Sequence, residues 1–302
     1  MTFTTQIKEE ITKEENNNIE DLTSLCTYLK FNATLEEDKM TVMVVNASVA
    51  RWIFKLLKTN YNVLIKLTTR TMKRFKARNL YILEVKEKLD LIYKDIDNIF
   101  KEINTSSDEE KKAFLKGMFL ACGSINDPKK NQYHLEFLVK EEEDAKLIDD
   151  LLNSLKIKSK VLKRDREYMV YVKSSENISD FIKYLGAFNA LFYFEDIRIY
   201  KDHKNMVNRL NNCEQANVER TLKSSKVILD NIKYLEDNDL LMLLDDRSKE
   251  IIEYKKKYPD TSLGELAEII TMETNKSITK SGINHHFRKI NALVKKAKEN
   301  HE

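Results

Sequence analysis

Breakers of regular structure are scarce in this sequence. Five glycines and two prolines among 302 residues leave little material for long irregular loops, so extended helices and strands are favoured. The three cysteines, Cys26, Cys122 and Cys213, are odd in number and far apart. They imply no disulfide framework, have no spacing suited to zinc, and read as reduced thiols. No run approaches the roughly 18 apolar residues of a membrane span. The first twenty residues carry acids early and show no apolar core, so no secretory signal is expected there. These absences point to a cytoplasmic protein. The net charge of +3 is too small to establish nucleic-acid binding; where the charges cluster decides that.

Hydrophobic periodicity supplies the organisation. Leu22, Leu25, Tyr28 and Leu29 recur at helical spacing; Met40–Val45 reads as a strand and Val49–Leu57 as a helix. Strands are expected at Val63–Leu67 and Tyr81–Val85, then a helix through Ile92, Ile96, Ile99 and Ile103. The polar segment Asn104–Asp108 marks a boundary, and beyond it the order repeats. A helix is expected over Glu109–Cys122, then a turn at Asn126-Asp127-Pro128. A strand at Tyr133–Val139 and a helix at Asp144–Leu155 come next, then strands at Ser159–Leu162 and Tyr168–Val172 and a helix at Ile178–Leu185. This is an internal duplication with an offset of about ninety residues. After Tyr200 the strand signal stops. Glu214–Leu235 and three further helical stretches form an all-α tail.

Two constellations carry chemistry. In the first, Leu115, Gly117, Met118, Ala121 and Gly123 are similar in spacing to the LAGLIDADG motif of homing endonucleases. There, small residues let two helices pack backbone to backbone, and an acid before the last glycine binds a divalent metal for phosphodiester hydrolysis. Here that position is Cys122. The weaker copy, Leu25–Ala33, has Asn32 in place of the acid and Ala33 in place of the glycine. A thiol and a carboxamide are poor ligands for magnesium, which prefers anionic oxygens. Gly117, Ala121 and Gly123 are therefore expected to serve helix packing, with no catalytic residue, no metal and no cofactor. A second signal, Arg70–Arg78, holds five basic residues in nine. It is open between a solvated hairpin tip and a phosphate-binding strip.

The second constellation lies in the tail. Ser262 and Glu265 have capping-box spacing, and Leu263, Leu266, Ala267 and Ile270 form one apolar face. Thr279 caps a further helix, Lys280–Leu293, whose Ile283, Phe287 and Ile290 face a core. That orientation sends Lys280, Ser281, Asn284, His285 and Arg288 outward, residue types that contact phosphates and base edges. Lys289, Lys295 and Lys296 are expected to meet phosphates. From Lys276 to Lys298 there are seven Lys or Arg residues and no acid. The adjacent histidines His285 and His286 point about a hundred degrees apart on a helix, so one metal cannot easily use both. The connection Thr271–Ser277 looks longer than a minimal helix-turn-helix turn.

The stretches Phe114–Pro128 with Tyr133–Glu136, Met206–Asn217 and Ile278–Ile290 together resemble the WhiA family. The last of them is also similar to sigma-factor region four. What the resemblance implies is an α+β protein: a duplicated LAGLIDADG-like scaffold over 1–104 and 105–200, then a linker helix and helix-turn-helix over 201–302. It implies a division- and segregation-linked regulator acting on double-stranded DNA at the nucleoid, with transcriptional control and no enzyme activity. The rivals are an active nuclease, and a division scaffold whose helix-turn-helix contacts a protein such as an RNA polymerase sigma factor. Oligomeric state is left open.

Overall fold

The computed structural model describes residues 1–14, 17–72, 78–130 and 132–299. The chain divides into two units, Met1–Asp202 and His203–Glu302.

In the first unit, α1 (Phe3–Ile11) precedes α2 (Asn18–Asn32), β1 (Ala33–Leu35), β2 (Met40–Val44), α3 (Ala47–Tyr61), β3 (Ile65–Met72), β4 (Arg78–Val85) and α4 (Leu89–Glu102). The pattern then recurs as α5 (Asp108–Cys122), β5 (Gly123–Ile125), β6 (Leu135–Val139), α6 (Glu142–Ser154), β7 (Lys160–Lys163), β8 (Tyr168–Val172) and α7 (Ser175–Tyr184). Each half makes a four-stranded antiparallel sheet, ordered β1-β2-β4-β3 in one and β5-β6-β8-β7 in the other. Period-two alternation fixes which face packs inward. Met40, Val42 and Val44 are buried in β2, and Leu135, Phe137 and Val139 in β6.

The two motif helices are the centre of this unit. Residues Thr23 to Leu29 of α2 and Ala113 to Leu120 of α5 are buried without interruption. A helix enclosed on every side has no polar face to show; these two pack on each other, with α3 and α4 also against α2 and with α1, α6 and β6 also against α5. Ser107 and Glu110 form a capping box that starts α5.

Three elements escaped the periodicity. Helix α1 buries Phe3, Ile7 and Ile11, three apolar residues spaced among charged ones, which is not the continuous apolar run of a secretory signal. Strands β1 and β5 have three residues each, too few for an alternation to register. The helix expected to begin at Glu214 begins at Phe188: α8 runs Phe188–Asp237. Residues 202–215 are exposed, so this stretch has no buried face to give a helical period. The division between the two units falls inside α8.

The second unit continues from α8 into α9 (Asp246–Lys257), α10 (Leu263–Thr274) and α11 (Lys280–Glu299). Its core joins Ile228, Ile232 and Leu235 of α8 to Ile251 and Ile252 of α9, Leu266 and Ile270 of α10, and Ile283, Phe287, Ile290 and Val294 of α11. No helix among the described residues is long and apolar enough to cross a membrane.

Candidate nucleic-acid interface

Where α2 and α5 cross, contact is at backbone level. A β-carbon built on Gly117 would stand 2.4 Å from the Ser24 carbonyl oxygen and 2.8 Å from the Thr27 β-carbon. The Ser24 hydroxyl donates to the Ala113 carbonyl at 2.9 Å, and Thr27 donates to its own helix at Thr23, 2.8 Å away. Buried hydroxyls are thus satisfied without side-chain bulk at the crossing. Ala121 is half-buried against the same core. Gly123 is small for a different reason: its β-carbon would meet Phe119 of its own helix, 2.4 Å from the ring.

At the C-terminal ends of these helices the donor set is thiol and carboxamide. Cys122 donates to the Met118 carbonyl at 3.4 Å, and burial pushes its thiol up to about 12, which keeps it neutral. Asn32 donates to the Tyr28 hydroxyl. Asp144 of α6 is close enough for its charge to raise the thiol further. Helix α1 reaches the same place: Lys8 donates to the Leu120 carbonyl at 3.1 Å, and Thr4 exchanges hydrogen bonds with Ile125 at 2.8 and 3.0 Å. Burial draws Lys8 down to about 8. Among the described residues, no group of three or more His, Cys, Asp or Glu side chains could hold a metal. The Arg70–Arg78 run lies mostly outside the described residues.

In the second unit the helix-turn-helix is built by hydroxyl caps. Ser262 accepts from the Glu265 amide at 3.2 Å, and Glu265 accepts from the Ser262 amide at 2.7 Å. Helix α10 continues through Thr274 and ends at Asn275 in the left-handed region, φ 54°, so the connection to α11 is shorter than Thr271–Ser277 suggested. Thr271 holds that connection by donating to the Ala267 carbonyl at 2.8 Å and accepting from the Ile278 amide at 3.2 Å. Thr279 accepts from the Gly282 amide at 3.2 Å and starts α11.

Ile283, Phe287 and Ile290 are buried, as the spacing requires. Lys280, Ser281, His285, Arg288, Lys289, Lys295 and Lys296 are exposed and Asn284 is half-buried. Ser281, His285, Arg288 and Lys295 fall at i, i+4, i+7 and i+14, one stripe along the helix. Asn284 stands beside it. Lys289 lies 3.6 Å from Asp245 and Lys295 3.9 Å from Glu299. Exposed pairs of this kind are weak and exchange readily.

Sequence reasoning gave His286 no role. Its Nδ1 lies 2.8 Å from the Ser248 hydroxyl and 3.9 Å from Asp245, the residue that caps α9 by accepting from the Ser248 amide at 2.7 Å. Burial lowers its pKa. His286 therefore locks α11 to the start of α9, which leaves His285 as the outward histidine. Lys255 was missed as well. It is fully buried, donating to Ser225 at 2.8 Å and to the Thr261 carbonyl at 2.7 Å. No sequence signal marks it, because a lysine on a helix ordinarily reads as solvated.

Fold and site together define a degenerate LAGLIDADG-like unit followed by a helix-turn-helix. The chain belongs to the WhiA family. The WhiA N-terminal LAGLIDADG-like domain matches residues 19–99, the WhiA LAGLIDADG-like domain 111–204 and the WhiA C-terminal HTH domain 207–294. A relative in Oceanobacillus iheyensis, called "Probable cell division protein WhiA", is 36% identical over 99% of this chain and 98% of its own. One of the same name in Bacillus cytotoxicus is 38% identical over 98% of this chain and 97% of its own. Full-length WhiA from Thermatoga maritima has the same fold, with a TM-score of 0.59, 22% identity, and coverage of 98% of this chain and 99% of that one. The N-terminal LAGLIDADG domain of a WhiA superposes with a TM-score of 0.52 at 20% identity, covering 61% of this chain and 90% of that one.

Proposed function

We propose that this protein is a DNA-binding regulator of cell division and chromosome segregation. In this reading it acts on double-stranded DNA through α11, exerts transcriptional control, and uses its LAGLIDADG-like unit as a scaffold without nuclease activity. The observation that carries it is the Ser281–His285–Arg288–Lys295 stripe on a helix whose opposite face is locked into a core. Such a helix presents polar and cationic side chains in register with a major groove. Lys280 at its start, and Lys295 and Lys296 further along, suit the flanking phosphates. Lys289 joins them by giving up Asp245. The scaffold reading rests on the neutral Cys122 thiol and the Asn32 amide where catalysis would need carboxylates. The cytoplasm, at the nucleoid, is the compartment this reading requires.

The experiment is crosslinking of the protein to chromosomal DNA in cells, comparing the parent with Arg288→Ala at equal abundance. The parent is expected to occupy discrete sites whose neighbouring transcripts change when the variant replaces it. Division defects in a strain whose protein occupies no DNA would favour a protein partner, such as a sigma factor, for the helix-turn-helix.

A further inference from the structure

The second unit contains a pocket of about 190 Å³ beside the start of α11. It is lined by Arg220, Thr221, Ser224, Ser225 and Ile228 of α8, by Thr261, Ser262 and Leu263 at the start of α10, and by Lys280 at the start of α11. Two features set it apart from an ordinary surface hollow. Its lining holds two cations and five hydroxyls and no carboxylate. Behind it stands the ammonium of Lys255, wholly buried and bonded to the hydroxyl of Ser225, which is itself 5% exposed.

That bond sets the direction of the Ser225 hydroxyl. Its oxygen accepts from Lys255, so its own proton is left to donate, and it has no acceptor among the described residues. A hydroxyl polarised by a buried cation is a strong donor to an anion. Two acids outside the lining, Asp260 and Glu265, act on Lys255 by charge, and the Glu265 carboxylate also accepts from the Ser262 amide at 2.7 Å. Burial pulls Lys255 below its ordinary pKa, and an oxyanion in front of Ser225 would offset that cost.

We propose that this pocket is a phosphate-binding subsite, in which Arg220 and Lys280 supply charge and Ser225, with Thr221 and Ser224, supplies hydrogen bonds to a phosphoryl oxyanion. The group arrives either as a backbone phosphodiester of a bound duplex or as a free phosphate. The first source rests on the DNA-binding reading, and the second does not. A backbone phosphate held here would place α8 alongside α11 as a contact surface and fix how the recognition helix enters the groove, since phosphate contacts position while base contacts specify.

The test uses the full chain, with Arg220→Ala and Arg220→Glu as variants; Arg220 is exposed, and both should melt as the parent does in chloride. One arm measures thermal unfolding in inorganic phosphate against chloride at matched ionic strength. The other measures binding to a labelled duplex of mixed sequence at several salt concentrations. If the source is the duplex, Arg220→Ala weakens binding to all sequences alike and lowers the log–log salt slope by roughly 0.9, and Arg220→Glu weakens it further. If the source is free phosphate, the parent melts higher in phosphate, both variants lose that rise, and their duplex binding is unchanged. The proposal is overturned if phosphate gives no rise in the parent and duplex binding by the variants equals the parent's. Should the parent bind no duplex, the recognition-helix reading fails by itself and the phosphate arm alone decides the pocket.

Discussion

The carbonyl oxygen of Ser24 lies 2.4 Å from the point a β-carbon on Gly117 would occupy. A carbonyl inside a helix has little freedom to retreat, so any side chain at 117 must separate the two motif helices. Gly117→Ala is expected to lower stability by about 1–3 kcal/mol, and Gly117→Leu by more. Thermal unfolding checks this; a variant that melts like the parent would mean that the crossing is not close-packed.

How much of this was legible in the sequence differs from element to element. Gly117 was readable because close helix crossings select small residues at a fixed spacing. Ile283, Phe287 and Ile290 were readable because burial on one side of α11 leaves a helical period. Helix α1 offered Phe3, Ile7 and Ile11 at four-residue spacing, but the intervening Lys8, Glu9 and Glu10 obscured it. Gly123 shares the motif's spacing, but its size is set by Phe119 of its own helix and not by the partner helix. His286 and Lys255 were not readable. Their roles come from Ser248, Ser225 and Thr261, brought close by the fold from other elements, and no local pattern encodes such a meeting.

Lys8 carries a pH signature. Its folded pKa of about 8 lies below the ordinary 10.5, so between those values the unfolded chain holds a proton that the folded chain has released. Its unfavourable contribution is therefore full below pH 8 and fades as pH rises towards 10.5. The stability of the parent relative to Lys8→Met should rise across that window by about 1–3 kcal/mol, allowing for screening. Chemical denaturation at about pH 8 and about pH 10.5 reads it, and a constant difference would place Lys8 in a solvated setting.

His286 predicts the opposite end of the scale. Its folded pKa lies below 6.5 because burial, with Lys289, His285 and Arg247 nearby, outweighs the attraction of Asp245. The unfolded chain takes a proton that the folded chain resists, so this contribution is intact above 6.5 and is lost as pH falls below it. His286→Gln, which keeps a polar partner for Ser248 and does not titrate, should lose less stability on acidification than the parent. Equal acid sensitivity in the two proteins would remove His286 from the α9–α11 lock.

Purified protein should leave supercoiled plasmid intact in Mg²⁺ or Mn²⁺, because a neutral thiol and an amide stand where hydrolysis needs carboxylates. Asp144 is the carboxylate to watch. Metal-dependent cleavage that disappears in Asp144→Asn would overturn the scaffold reading.

Whether α11 reads DNA is decided by fluorescence anisotropy with a duplex selected on the intact protein. Arg288→Ala and Asn284→Ala are each expected to cost specific binding about 1–3 kcal/mol while leaving affinity for unrelated sequence near the parent's. Lys295→Ala and Lys296→Ala should instead weaken all sequences alike and lower the salt slope by roughly 0.9 per lost contact. Ile283→Ala serves as the control that loses binding through the core. If Arg288→Ala and Asn284→Ala hold the selected duplex as tightly as the parent does, α11 is not the recognition helix.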